Sequence, residues 1–232
     1  MTLLLGLKLF LAPFFVWVIS VLQGKYNARM GGLFLGLPLT TGPFLLIVGI
    51  QEGRSFAKTA AHGVLVGQLS LIVFCFVYAL AAGKLKWGKS IAIATVAVWI
   101  SGYIFNLINF SNLGVILTLF FLWVIALALF PKYEKPTDKV TAPKWELPVR
   151  LITAVVLILA LTGAANILGS RVSGALSTYP TIISVLGSFS HRRNGPKHLI
   201  ATLHALIQAL PITSVIMIGL TSVSYTHLTL PT

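Results

Sequence analysis

Hydrophobic residues of this chain fall into eight long runs that are separated by short polar connections. The runs cover residues 3–22, 31–50, 60–82, 90–108, 114–131, 149–168, 172–190 and 199–220. A helix needs about 20 apolar residues to cross the hydrocarbon core of a bilayer, and the runs have about that length. Strands of a membrane barrel are about half as long and alternate in polarity, so the pattern predicts an all-α bundle of about eight transmembrane helices.

The composition agrees with a bilayer as the solvent of this chain. Hydrophobic residues make up 57% and charged residues 9%, whereas soluble domains are about one quarter charged. The net charge of +13 comes from cations between the apolar runs, where they act as topology signals, so nucleic acid is not the expected partner. The first run has no basic segment before it and no small-residue cleavage site after it, which favours a membrane span over a signal peptide.

The positions of lysine and arginine predict the orientation of the bundle. With the N-terminus outside, thirteen of the 17 lie on the inner side: Lys25, Arg29, Lys84, Lys86, Lys89, Lys132, Lys135, Lys139, Lys144, Arg150, Arg192, Arg193 and Lys197. The remaining four are Lys8 in the first run and Arg54, Lys58 and Arg171 in outer connections. Because inner loops of membrane proteins carry the excess of cations, we expect an outside N-terminus.

The chain resembles itself at a shift of 142 residues. Lys8 then aligns with Arg150, and identical residues align at Arg29 and Arg171, Gly32 and Gly174, Pro38 and Pro180, Gly53 and Gly195, and His62 and His204. Five runs precede the second copy, so equivalent spans would cross the membrane in opposite directions. This arrangement of inverted-topology repeats is common among secondary transporters.

The repeat divides the chain into four segments. Residues 1–131 form a first membrane repeat of five spans, and residues 132–148, which contain Pro136 and Pro143, form a cytoplasmic linker. Residues 149–222 form a second repeat of three spans, which we expect to be incomplete because two further spans have no counterpart. Residues 223–232 have no apolar run and are expected to be a non-native tail, the alternative being an authentic polar terminus.

Proline and glycine interrupt two equivalent runs. The second run contains Gly36, Pro38, Gly42 and Pro43 within eight residues, and the seventh contains Pro180. A matched pair of interrupted spans is the best sequence indication of a substrate site near the bilayer centre. We therefore predict a binding site formed by Pro38, Thr40, Thr41, Thr178, Tyr179, Pro180 and Thr181. The alternative is a pair of simple proline kinks whose threonine hydroxyls bond back to the helix.

Four polar side chains lie inside predicted spans. They are His62 and Gln68 in the third run, and His204 and Gln208 in the eighth. Such residues usually face the bundle interior, where they form a proton or ion route or make structural hydrogen bonds. No second ligand has suitable spacing to either histidine, so no metal site is predicted.

Charged residues are expected only near the ends of the spans. Lys8 and Arg150 occupy the first turns of equivalent runs, where their side chains would extend to the lipid headgroups or guard the two entrances of a pathway. All four acidic residues are expected in connections: Glu52, Glu134, Asp138 and Glu146. This placement disfavours proton coupling through a carboxylate inside the membrane.

Glycines one helical turn apart predict close helix packing. Gly32 and Gly36 have this spacing, as do Gly63 and Gly67, and Gly174 is followed at the same spacing by Thr178. The structural role is the expected one for all three pairs.

Short motifs in both copies resemble the GlpM-like family of small bacterial inner-membrane proteins. In the first copy these are residues 31–34 with Pro38, residues 47–48, 52–53 and 76–78. In the second copy they are residues 174–176, 179–181 and Gly195. Members of that family are about the size of one copy, so the resemblance implies a fused duplication in the inner (cytoplasmic) membrane. It implies no activity for particular residues.

These patterns predict a transporter-like or flippase-like protein rather than an enzyme. No phosphate-binding loop, nucleophile elbow or zinc motif occurs, and no cofactor is expected. The expected substrate is a small anion or polyol, because interrupted helices offer free amide donors and no acidic side chain is expected nearby. The alternative is an assembly or scaffold factor that binds another membrane protein, or a second copy of this chain, through its helix faces.

Overall fold

All regular secondary structure in the described part of the chain is helical. The computed structural model describes residues 2–38, 41–42, 45, 53–132, 143, 145–177 and 179–222. These residues form eight principal helices and no strand: α1 (Thr2–Lys25), α2 (Ala28–Leu35), α3 (Arg54–Ala82), α4 (Trp87–Leu107), α5 (Asn112–Ala128), α6 (Glu146–Ser177), α7 (Thr181–Asn194) and α8 (Pro196–Ser222). The predicted all-α class is therefore confirmed for this part of the chain.

Four of these helices contain segments long and apolar enough to cross a membrane. The segments are Lys58–Ala82, Trp87–Leu107, Glu146–Ala164 and Pro196–Gly219, and shorter apolar helical segments cover Leu9–Lys25 and Asn112–Ala128. The outer faces of α4 and α5 expose large apolar side chains such as Ile100, Phe120 and Phe121, which suit contact with lipid. The protein is thus of the membrane class, whereas the count of eight spans stays a prediction.

Helix α6 corrects the predicted boundary between the sixth and seventh spans. We expected a connection at residues 169–171, but the backbone is helical from Glu146 to Ser177 without a break. The interruption falls instead at Tyr179 and Pro180, after which α7 begins. Gly169 and Arg171 between two apolar runs therefore do not end this helix, which ends shortly before Pro180.

Helices α3 and α8 form the centre of the bundle and run antiparallel. The Ser214 hydroxyl of α8 donates a 2.7 Å hydrogen bond to Gln68 Oε1 of α3. Toward the other end of α3, Tyr78 lies beside Gly187 of α7, which also contacts Leu199 at the start of α8. The main hydrophobic cluster combines buried residues of these helices with residues of α4 and α5.

Helices α1 and α6 form a second antiparallel pair. Arg150 in the first turn of α6 donates a 3.0 Å hydrogen bond to Ser20 in the last third of α1. Val16 and Ile19 of α1 share a hydrophobic cluster with Ala154 of α6, and Phe34 of α2 and Leu186 of α7 also join this cluster. The cluster therefore connects the α1–α6 pair to both of the shorter helices.

Helix α2 packs directly on α8 through its glycines. A Cβ on Gly32 would overlap the carbonyl oxygen of Thr202, and one on Gly36 would lie 2.7 Å from the carbonyl oxygen of Leu206. The hydroxyl of Thr213 donates a 2.5 Å hydrogen bond to the Gly36 carbonyl. Gly32 and Gly36 thus make the close approach that their spacing predicts. Gly63 does not, because a Cβ there would meet nothing within 4 Å.

Candidate functional site: two interrupted helices and a buried charge cluster

Both predicted helix interruptions occur, and each is followed by a new helical turn. The chain is not helical at Pro38, and the amide of Gly42 donates to the Pro38 carbonyl at 2.8 Å. At the equivalent place the amide of Ser184 donates to the Pro180 carbonyl at 3.0 Å. The donors Gly42 and Ser184 are 142 positions apart, and so are the acceptors Pro38 and Pro180. Proline therefore begins a helix at both sites, the position where its missing amide costs least.

A second pair of equivalent positions shares an unusual backbone conformation. Gly53 precedes α3 with φ of 84°, and Gly195 precedes α8 with φ of 82°. This left-handed region is readily adopted by glycine and strained for residues with a Cβ. The two glycines are again 142 positions apart, so the backbone repeats the sequence correspondence at the start of both central helices.

The structure describes five of the seven predicted site residues, all of them in or beside the interruptions. Pro38, Thr41 and Pro180 are half-buried, and Thr181 is the first residue of α7. The Thr181 hydroxyl lies 3.5 Å from the Tyr179 carbonyl, a contact that is local to its own turn. Thr40 and Thr178 lie outside the described residues, so the predicted approach of the two interruptions stays a prediction.

Tyr179 points toward the helices of the main core. Its hydroxyl lies 3.1 Å from Thr95 Oγ1 of α4. Its ring packs against Phe74 of α3 and Trp99 of α4, with centroid distances of 6.3 and 6.1 Å. These contacts fix the chain on the N-terminal side of Pro180, so Tyr179 anchors the interruption to α3 and α4.

The polar side chains of α3 make hydrogen bonds to neighbouring helices. His62 Nδ1 lies 2.9 Å from Asn112 Oδ1 at the start of α5. Gln68 is buried and accepts from Ser214, while its amide nitrogen has no hydrogen-bond partner among the described residues. Gln68 thus faces the bundle interior as predicted, and His62 links two helix ends.

The polar pair of α8 behaves differently. His204 is half-buried and packs against Phe130, with ring centroids 5.0 Å apart. Gln208 is exposed on the outer side of α8, so the expected interior position is wrong for this residue within the described structure. In the part of the chain that the structure describes, no cluster of three metal-ligating side chains occurs.

A buried charge cluster that no sequence pattern predicted lies at the junction of α1, α6 and α7. Glu146 accepts hydrogen bonds from Arg150 through Oε1 and from Arg193 through Oε2, the latter at 2.8 Å. The side chain of Glu146 is 4% exposed and that of Arg150 2%, whereas Arg193 keeps 34%. We name these three residues the buried charge cluster.

The cluster corrects two expectations about charged residues. Arg150 does not extend to the headgroups, because it is buried against Ser20 and the ring of Phe189, whose centroid lies 5.5 Å from the guanidinium carbon. Glu146 does not lie in a connection, because it is the buried first residue of α6. An apolar environment favours this pairing, since an unpaired charge in either residue would lose its hydration without compensation.

The cluster carries an excess of positive charge. Two guanidinium groups face one carboxylate, and Arg150 Nε has no hydrogen-bond partner among the described residues. Ionisable residues in membrane segments are functional candidates by default. Under the predicted repeat, Lys8 is the equivalent of Arg150, and nothing is described of the Lys8 side chain.

Comparison with known proteins finds no match for this chain among protein-family models, curated proteins or solved structures. The interrupted helices and the buried charge cluster are therefore the features from which a function can be inferred.

Proposed function

We propose that this protein is a transporter-like or flippase-like membrane protein built from two inverted repeats, with its substrate site between the interrupted helices. The observation that carries the proposal is the matched pair of helix starts after Pro38 and Pro180. In secondary transporters, equivalent interrupted helices place free backbone groups around the substrate. We further propose a multi-pass protein of the inner membrane with its N-terminus outside, as a duplicated form of the GlpM-like proteins.

The packing of equivalent helices supports inverted topology. Inversion requires each helix to run opposite to its counterpart 142 residues later. Helix α1 is antiparallel to α6, and α3 is antiparallel to α8. The matching left-handed glycines before α3 and α8 support the repeat itself.

The charges near the bundle favour an anionic or polyol substrate. Glu146 is the only acidic side chain in the described residues, and both of its oxygens bind arginine. The first amides of a helix carry partial positive charge and have no intrahelical acceptor, so a helix start after each proline attracts an anion. An excess cation in the charge cluster acts in the same direction.

A transport assay tests the site. Purified protein in liposomes should accumulate at least one member of a panel of small anions and polyols above the level of empty liposomes. The double variant Thr41→Val and Thr181→Val keeps the side-chain shape and removes two hydroxyls, so we expect about tenfold slower uptake for two lost hydrogen bonds. The matched control is Thr153→Val, because that hydroxyl bonds only to its own helix at the Val149 carbonyl.

Two outcomes would count against the site. Equal uptake by the double variant and by Thr153→Val would mean that the hydroxyls at the interruptions do not contact substrate. Uptake no higher than in empty liposomes across the whole panel would remove the transport proposal and leave the scaffold alternative.

Cysteine labelling tests the orientation. After Cys75→Ala, single cysteines at Lys86 and Arg192 should be protected from an impermeant maleimide in intact cells, because they lie at the end with most cations. Cysteines at Asn109 and Leu113, which are exposed near the connection between α4 and α5, should react. The reverse pattern, or reaction at all four positions, would contradict the proposed orientation.

An assembly or scaffold role is the second candidate, and the close packing of α2 on α8 favours it. At Gly32 and Gly36 there is no room for even a methyl group between these helices. A solute therefore cannot fit between α2, the helix before the Pro38 interruption, and α8. Copurification of a membrane partner together with absence of uptake would support this role.

A further inference from the structure

An open depression lies at the end of the bundle where α3, α4, α7 and α8 meet. It has a volume of about 520 Å³, and its walls are the connection between α3 and α4 and the junction of α7 and α8. The residues that line it are Ala82, Gly83, Lys84, Leu85, Lys86, Trp87, His191, Arg192 and Pro196. We call it the basic depression. It is distinct from the interrupted helices and lies next to the buried charge cluster through α7.

The charge of the basic depression is entirely positive. Lys84, Lys86 and Arg192 are exposed, and no acidic residue lines the depression. The Arg192 guanidinium carbon lies 5.7 Å from the centroid of the Trp87 ring, a cation–π contact that holds the cation at the rim. Three cations around one concave surface attract an anion more strongly than the same charges spread apart.

Two helix starts reinforce this attraction. Helix α4 begins at Trp87 and α8 begins at Pro196, and both residues line the depression. His191 is a second, independent polar feature, because it lines the depression while only 6% exposed, and its Nδ1 has no hydrogen-bond partner in the described structure. Burial lowers the pKa of His191 and so favours the neutral ring, a form that carries one N–H donor.

The surroundings of the depression are those of a membrane surface. Leu85 and Trp87 are 37% and 41% exposed, and they lie at the end of helices long and apolar enough to cross a bilayer. Tryptophan at the end of a membrane span typically lies among the headgroups, and basic pockets between such helices bind phosphate headgroups. In a bilayer, the phosphate groups of the lipids would therefore lie at the same depth as Lys84, Lys86 and Arg192.

We propose that the basic depression binds the phosphate headgroup of an anionic phospholipid, with Lys84, Lys86 and Arg192 as the charged contacts. This assignment holds whether the protein transports a solute or supports another complex. The apolar rim of Leu85 and Trp87 favours a lipid over free phosphate, since it lies where the acyl chains of a bound lipid begin.

The binding of phosphatidylglycerol to the purified protein in detergent tests the proposal. Native mass spectrometry should show one tightly retained phosphatidylglycerol and no retained phosphatidylcholine. In the triple variant Lys84→Gln, Lys86→Gln and Arg192→Gln the affinity should fall more than about tenfold, because all three charged contacts to the anionic headgroup are lost. Replacing the same three residues with the other basic residue, Lys with Arg and Arg with Lys, should retain most of the binding.

A matched control removes the same charge from the same end of the bundle. This control is the triple variant Lys25→Gln, Arg29→Gln and Lys132→Gln. The three residues are exposed and lie outside the depression, and their replacement lowers the net charge by the same amount. Equal losses in the two triple variants would show nonspecific attraction and overturn the assigned site. Retention of inorganic phosphate as tightly as phosphatidylglycerol would overturn the lipid assignment. Unchanged melting curves show that each variant is folded.

Discussion

Replacing Gly32 with alanine should lower the apparent melting temperature of the detergent-solubilised protein by roughly 6–12 °C. A Cβ at this position would overlap the backbone oxygen of Thr202 and lie 2.9 Å from the Ala205 Cβ. Backbone atoms cannot rotate away as a flexible side chain can, so α2 must move off α8. Overpacking of this kind costs about 3 kcal/mol, and each kcal/mol shifts the melting temperature of a chain of this size by about 2–4 °C.

The same substitution at Gly63 is the matched control. Gly63 lies within α3, and a Cβ there would meet nothing within 4 Å. Alanine is favoured over glycine in a helix by about 1 kcal/mol, so Gly63→Ala should leave the melting temperature unchanged or raise it slightly. Similar melting temperatures for Gly32→Ala and Gly63→Ala would show that α2 does not pack against α8 as closely as described.

Local sequence features predicted the parts of the fold that depend on local physics. Apolar runs of suitable length predicted helices, because a backbone in a bilayer must satisfy its hydrogen bonds internally. Pro38 and Pro180 predicted interruptions, and the structure has a helix start after each one. The spacing of Gly32 and Gly36 predicted a close helix contact, although the partner helix could not be known from the spacing.

Features that depend on packing between distant segments were harder to predict from the sequence. The end of α6 was misplaced because a glycine and an arginine between apolar runs resemble a connection, yet both are tolerated in a helix. Gln208 was expected inside because it shares a helix face with His204, but α2 and α3 pack on other sides of α8 and leave Gln208 exposed. Two of the seven residues predicted for the substrate site, Thr40 and Thr178, lie outside the described residues.

The buried charge cluster combines one contact between neighbours in the sequence with contacts between distant segments. Glu146 and Arg150 are four residues apart, a spacing that allows an ion pair on one helix, but the helix was expected to begin only after Glu146. Arg193 comes from α7, 47 residues away along the chain, and only the tertiary fold brings it to the second oxygen of Glu146. The burial of Arg150 also depends on Ser20 and Phe189, which no local pattern connects to it.

Replacing Glu146 with glutamine should destabilise the protein more than any other single change in the cluster. Glutamine keeps the side-chain size and removes the charge, which leaves Arg150 buried without a counter-ion. The loss of one partner from a buried ion pair costs about 3–5 kcal/mol, because the remaining charge has neither water nor a carboxylate. The expected result is a loss of roughly 6–20 °C in apparent melting temperature, measured by intrinsic tryptophan fluorescence in detergent.

Arg193→Gln is the internal comparison, because it removes a charge from the same carboxylate but from its more exposed side. The Arg193 side chain keeps 34% exposure, so solvent already screens its attraction to Glu146, and the effect should be about 1 kcal/mol or less. An equal loss in Glu146→Gln and Arg193→Gln would contradict the idea that burial of Arg150 sets the cost.

Removal of both buried charges gives the most discriminating result. In the double variant Glu146→Gln and Arg150→Met, no buried charge is left unpaired and methionine fills a similar apolar volume. Such replacements of buried ion pairs are often neutral or stabilising, so the double variant should melt well above Glu146→Gln alone. If the double variant melts as low as the single one, the cost comes from lost packing or hydrogen bonds around Glu146. If it recovers stability but loses the uptake expected of the wild-type protein, the cluster serves function at the expense of stability, as buried ionisable groups in membrane segments commonly do.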